Sequence, residues 1–433
     1  MALTLVAAAT VAGGLLTGAL LAIGMPKNLT LDTTALLDLV KISLAVVGGI
    51  GGAVALVIAY RRQRLTEEDN HRARQAAHRE DTKLYIERFD KATDKLGSDA
   101  PAVRLAGVHA LAALADDWRG GRQMCIDVLC AYLRMPPEPS PAQDAAKYAT
   151  WRAMREVRAT IARLIAVHLR AGSASWCGSD LDFTGVVFDD EADFSNVIIS
   201  GGSVSFRGAV FSGSEVSFTG AMFSNGTTLF DNAVFSGSEV SFVFAKFAGG
   251  EVSFDAAEFS GGEVDFIAAE FTGGRMSFNG AKFSGGEVSF DGAYFMDGRT
   301  LFDEAVFASG KVSFGGGKFS GRGVWFSKAV FSGGEMSFRG AEFVGGEAAT
   351  GGDVAFDRVQ FTGGEMVFDE AAFIGGEMVF DEAAFIGGEV RFNAVADWSC
   401  PPTGLPAKAP GLHLPTSSAV AADDSQTVAG NPN

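Results

Sequence analysis

The residues whose types and spacing could do chemistry are few: two histidines, four cysteines and a regular series of glutamates. His71 and His78 stand seven apart in a charged segment, too far for ordinary two-ligand chelation, and read as surface side chains. Cys125, Cys130, Cys177 and Cys400 form no CxxC pair. They suggest neither a disulfide framework nor a zinc site, and a reducing compartment suits them. Cys125 and Cys130 fit a helix core better than a redox couple. No phosphate-binding loop, nucleophile elbow, zinc motif or dinucleotide fingerprint occurs. The chain is therefore expected to be no enzyme and to need no cofactor or metal. The glutamates are the exception: Glu215, Glu239, Glu263 and Glu287 recur at intervals of 24, and Glu335 continues the series beyond Lys311. Carboxylates at one recurring position form a stripe if the chain coils with that period. Such a stripe would attract a basic protein surface. It could also be the mere repetition of a soluble residue.

The charge follows the same segment. Residues 183–395 hold 30 acidic and 12 basic side chains, a net of −18, while the remaining 22 acidic and 23 basic residues nearly cancel. The elements that would position the glutamates are set by phenylalanine. From Phe194 to Phe338 a Phe occurs at every twelfth residue, and a second series, from Ile199 through Phe211 to Phe343, follows five residues behind. An insertion near "EAATGGD" shifts the phase once, after which the pattern resumes at Phe356 and runs to Phe392. The segment "EMVFDEAAFIGG" occurs twice in tandem, at 365 and 377. Spacings of five and seven do not hold one helix face, and paired glycines every twelve residues would break a helix. Short strands in a stacked parallel coil use the pattern well. Each side points one Phe inward, with a small residue two positions earlier. Gly is suited to the left-handed corners.

"AEFSG" and "AKFSG" resemble pentapeptide repeats, with a small residue two before a large apolar one and a turn after it. The resemblance implies a right-handed, four-sided parallel β-helix. Here alternate sides are lengthened from five residues to seven, which predicts 24 residues per coil. Nearly nine coils would give a rod roughly 40 Å long at about 4.8 Å per strand. In that coil Glu215, Glu239, Glu263 and Glu287 stack directly. An opposite column reads Ser203, Thr227, Glu251, Arg275, Arg299, Gly323 and Glu347, and Ser289 is expected to point outward.

Four domains are expected in all. Residues 1–60 contain two uncharged stretches, 3–24 and 42–60, each long enough for a membrane helix. Arg61, Arg62 and Arg64 follow, so a two-span hairpin with both ends inside the cell is expected. A cleaved signal peptide is the rival, but the first stretch lacks a basic start and an A-x-A site. Residues 61–172 read as a small α-helical adaptor, with helices near 61–96, 103–118, 124–134 and 145–170. Its basic and acidic residues are interleaved, so no direct nucleic-acid binding is expected. Residues 173–398 form the repeat coil, and 399–433, without apolar periodicity, are expected to be disordered. This order of two spans, adaptor and repeats resembles membrane-anchored pentapeptide-repeat proteins of actinobacteria. The leading functional expectation is a plasma-membrane scaffold whose cytoplasmic acidic rod meets a protein partner. The alternative implied by the resemblance is a DNA-mimicking protein acting on DNA gyrase.

Overall fold

The computed structural model describes residues 33–415 apart from 142–143, 174, 214, 322 and 345–353, with a few isolated positions before residue 22. The expected first span, 3–24, lies almost wholly outside the described residues, as does 416–433. The chain divides into two units, Met1–Ile86 and Glu87–Asn433.

In the first unit the described chain is helical, and from Thr33 it belongs to helix α1 (Thr33–Leu96). Among the described residues this helix alone contains a stretch long and apolar enough to cross a membrane. In its uncharged stretch Ile42, Leu44, Ile50, Val54 and Leu56 are exposed. A helix apolar on every side has no stable surface in water, and this one is consistent with a membrane anchor. His71 and His78 lie on its exposed, charged part.

The second unit begins with the last turns of α1 and three further helices: α2 (Pro101–Asp117), α3 (Arg122–Arg134) and α4 (Ala145–Leu169). Proline opens α2, where its missing N–H costs nothing. Val108, Leu111, Ile126, Leu129, Ile161 and Ile165 form a fully buried core. Cys125 and Cys130 lie in it, and burial raises their thiols to about 11 and about 12. Both remain protonated and unreactive at neutral pH.

From Leu181 onward the chain winds as a parallel β-solenoid of about nine turns. Among the described residues the strands form two parallel sheets, of 13 and 12 strands. Register confirms a 24-residue coil: Phe235 pairs with Phe259 and Phe259 with Phe283. One coil is longer, because Val330 pairs with Gln360, thirty residues on. The six extra residues fall at the inserted segment. For the same reason Val324 pairs with Val354, and the expected continuation of the second column at Glu347 lies outside the described residues.

Phenylalanine fills the interior. Phe290 is fully buried and stacks on Phe266 and Phe314, with centroids 4.7 and 4.8 Å apart and planes within 5°. Phe278 and Phe302 meet it edge-on at 85°. Isolated rings prefer offset or edge-to-face contact. Here the strand spacing dictates near-parallel stacks along the axis, and the edge-on contacts occur across it.

Two turn devices shape the coil. The long strands bend at Gly-Gly, where Gly286 has φ +70° and a Cβ would stand 2.5 Å from the Gly262 carbonyl oxygen. The tight corners differ from expectation, because many left-handed positions there are not glycine. Ala268 has φ 53°, Glu304 60° and Lys328 59°. The cost of about 1–2 kcal/mol for such a residue is offset by a hydrogen bond, since the Ala268 N–H donates to the Asp291 carbonyl of the next coil at 2.8 Å.

Both ends of the solenoid are covered. At the start, arginines on the helices and just after α4 satisfy carbonyls of the exposed first coil. Arg134 Nη1 donates to Asp182 O at 2.9 Å, Arg155 Nη2 to Asp189 O at 2.8 Å, and Arg170 Nη2 to Asp193 O at 3.0 Å. Such a cap removes an open sheet edge. The far end corrects the expected tail at 399–433. Trp398 packs edge-on against Phe373, the Thr403 N–H donates to Met378 O, and Leu412–His413 pairs with Val390–Arg391. Residues 399–413 thus wrap the last coil, because unpaired backbone and the end face of the Phe stacks both favour a cover.

Candidate interaction face

Strands Val234–Ser241, Glu258–Asp265 and Lys282–Ser289 are neighbours in the 12-stranded sheet. Their inward residues are Val and Phe, so the alternate residues face outward. Glu239 pairs with Glu263, and Glu263 with Glu287. The column continues through Lys311 and Glu335 to Glu365 and Glu389. Glu215 precedes Val216, which pairs with Val240, and it is exposed. The structure therefore brings all five sequence-identified glutamates to one face. It also adds Glu365 and Glu389, which the inserted residues hid from a fixed 24-residue count.

The opposite column is also in register: Ser203 pairs with Thr227, Thr227 with Glu251, Glu251 with Arg275 and Arg275 with Arg299.

Beside the glutamates runs a column of template serines. Ser241, Ser289, Ser313 and Ser337 point away from the core yet are buried. Ser289, expected to point outward, stands in this column and is only 4% exposed. Stacked strands leave no room for water between its hydroxyl and the coils on either side. The hydroxyls are used instead: Ser313 Oγ donates to Asp291 Oδ1, and Thr219 Oγ1 pairs with Ser241 Oγ.

Asp265 replaces a serine in this column, pairing with Ser241 and Ser289. It is 6% exposed, and its Oδ1 has no hydrogen-bond partner among the described residues. The position that would supply one holds Val243. Burial, reinforced by Glu263, Glu239, Glu287 and Asp291, raises its carboxyl to about 6. Sequence reasoning passed over this residue. Its signal was the Asp in "GGEVDF" where the template reads "GGEVSF". Just beyond, Ile267 and Phe244 are exposed, and Phe244 holds φ 57° at a corner.

Among the described residues no group of three or more His, Cys, Asp or Glu is arranged to hold a metal ion. What the face can do is bind by charge and shape. No curated protein matches the chain. Residues 183–231 match the family described as pentapeptide repeats (9 copies). Together with the register of 24 and the stacked phenylalanines, that match identifies the coil as a pentapeptide-repeat solenoid with alternate sides widened to seven residues.

Proposed function

We propose that the protein is a non-catalytic, membrane-anchored scaffold that presents the acidic face of its solenoid to a protein partner. The observation that carries this reading is the in-register stack of Glu239, Glu263 and Glu287 on an outer face. Like charges on adjacent strands destabilise a sheet, so a soluble template alone gives them no advantage. A partner with a basic surface would relieve the repulsion and be steered by it. The uncharged stretch 42–60 in α1, followed by Arg61, Arg62 and Arg64, supports anchoring with the solenoid on the cytoplasmic side. The gyrase alternative is weaker, because Arg275 and Lys311 interrupt the charged columns that a duplex mimic would keep acidic, and Arg391 neutralises Glu365 from the neighbouring column. Proximity labelling with the full chain in its native host tests the reading. A reproducible basic protein neighbour, lost when the five glutamates of the stripe are changed to glutamine, supports it. Identical labelling by the two chains overturns it.

A further inference from the structure

Many charged residues of the solenoid are compensated by the coil above or below. Lys246 meets Glu270 at 3.1 Å, Lys318 meets Glu342 at 3.1 Å, Lys328 meets Glu304 at 3.2 Å and Arg358 meets Glu382 at 2.8 Å. The partners of each pair stand 24 residues apart, one coil along. Glu239 and Glu263 lack such compensation. They face each other in register, and neither has an ion-pair partner among the described residues. They rim an open groove of about 570 Å³ whose floor is the glycine bends Gly237, Gly262 and Gly286. Ser238 lines it too, 2% exposed, with an Oγ that has no hydrogen-bond partner among the described residues. Asp265, two residues from Glu263 on the same outward face, adds a second buried and unpartnered polar atom.

We propose that this groove takes lysine or arginine side chains from an extended basic segment of a partner protein. This rests on the scaffold reading and names the contact within it. The chain itself displays the chemistry. Lys311, at the end of the groove, sets its Nζ 2.7 Å from Glu287 Oε1, so the column accepts an ammonium group. The carboxylates run in single file, about one strand spacing apart, and suit one cation each rather than a shared metal ion. Phe244, 62% exposed, and Ile267, 37% exposed, form an apolar ledge beside Asp265. A bulky residue at positive φ is a backbone outlier, and folding gains nothing from exposing it. A ledge of this kind suits the aliphatic stems of basic side chains and offers a ring face to a cation.

The test is fluorescence anisotropy of a labelled octalysine peptide with the full chain in detergent micelles. Two double variants remove the same charge: Glu239→Gln with Glu263→Gln, and Glu270→Gln with Glu342→Gln, whose carboxylates already have lysine partners. The first is expected to weaken binding at least tenfold and the second less than twofold, with both circular dichroism spectra unchanged. Phe244→Gly is expected to weaken binding about threefold. Equal weakening in the two double variants would mean that bulk charge alone is at work, and would overturn the site. Tighter, groove-dependent binding of spermidine than of octalysine would overturn the peptide assignment in favour of a free polyamine. If cellular labelling finds a basic partner that Glu239→Gln with Glu263→Gln leaves undiminished, the scaffold reading survives and the groove assignment fails.

Discussion

Asp265→Ser restores the template residue in the serine column and removes a buried carboxylate. In the folded chain its carboxyl is raised to about 6, against about 3.9 in an unfolded chain. The folded state therefore binds the proton more tightly, and stability falls as pH rises from about 4 to about 6, then stays reduced above that. Two units correspond to about 2.7 kcal/mol at 1.36 kcal/mol each. The carboxylate lies just beneath the outer face, where solvent and salt screen part of that figure, so about 1–2 kcal/mol is expected. Groups facing it are Glu263 on its own strand, Glu239 on one neighbour, and Glu287 and Asp291 on and beyond the other. All are acidic and act in the same direction.

Solenoid coils open locally rather than all at once, so the readout is hydrogen exchange rather than a single melting point. The Phe242 N–H donates to the Asp265 carbonyl, and the Phe266 N–H to Ser289. At pH 7.5 peptides spanning these amides are expected to exchange about 5–30 times more slowly in Asp265→Ser than in the natural chain. At pH 4.5, with Asp265 protonated, the difference should shrink towards nothing. Asp265→Asn, which keeps the shape and removes the charge, is expected to follow the same trend. A ratio independent of pH, or slower exchange in the natural chain at pH 7.5, would refute the assignment of a strained buried charge.

Phe290→Ala, which empties one level of a stack, should cost about 3–5 kcal/mol by chemical denaturation. Ser289→Ala should cost about 1 kcal/mol or less, because the hydroxyl's contact is an acceptor contact to the Asp291 N–H at 3.3 Å. Gly286→Ala introduces a Cβ 2.5 Å from the Gly262 oxygen at positive φ, so it is expected to disrupt coil stacking, read as loss of exchange protection in strands 258–265 and 282–289. A reporter joined after Leu65 should be active on the cytoplasmic side, and external activity would reverse the proposed topology.

Most of the coil was legible because its rule is local and repeated. A Phe every twelve residues, with Ala or Val two before it, allows one inward position per side, and the 24-residue stack follows from two such modules. The helices were legible from apolar spacing, as at Val157, Ile161 and Ile165 on one face of α4. Accessibility was not legible. Alternation told correctly that Ser289 points outward, but burial depends on how closely the next coil covers it. The corners misled in another way. Glycine is the cheapest left-handed residue, yet Ala268 and Glu304 hold that conformation because a cross-coil hydrogen bond repays it. The arginine cap and the wrapped segment 399–413 were hidden because both depend on docking between segments far apart in sequence. Arg134, Arg155 and Arg170 look like ordinary helix-surface charges until the first coil is placed against them.

In a stacked coil, a departure from the template is felt 24 residues away in both directions, so it is either neutralised there or left in place. The glutamate column shows that neutralisation is sterically available, since Lys311 occupies the same register position as Glu239 and Glu263 and pairs with Glu287. A lysine at 263 would compensate both neighbours in the same way without altering the backbone. The fold thus does not require carboxylates at 239 and 263, nor a third in the serine column at 265. Three departures in one patch, the facing glutamates, the buried aspartate and the exposed Phe244, all raise the free energy of the isolated chain. A binding event that supplies positive charge lowers the cost of the first two, and one that covers the ring lowers the third. That common remedy is what joins them into one site rather than three separate accidents of a drifting repeat.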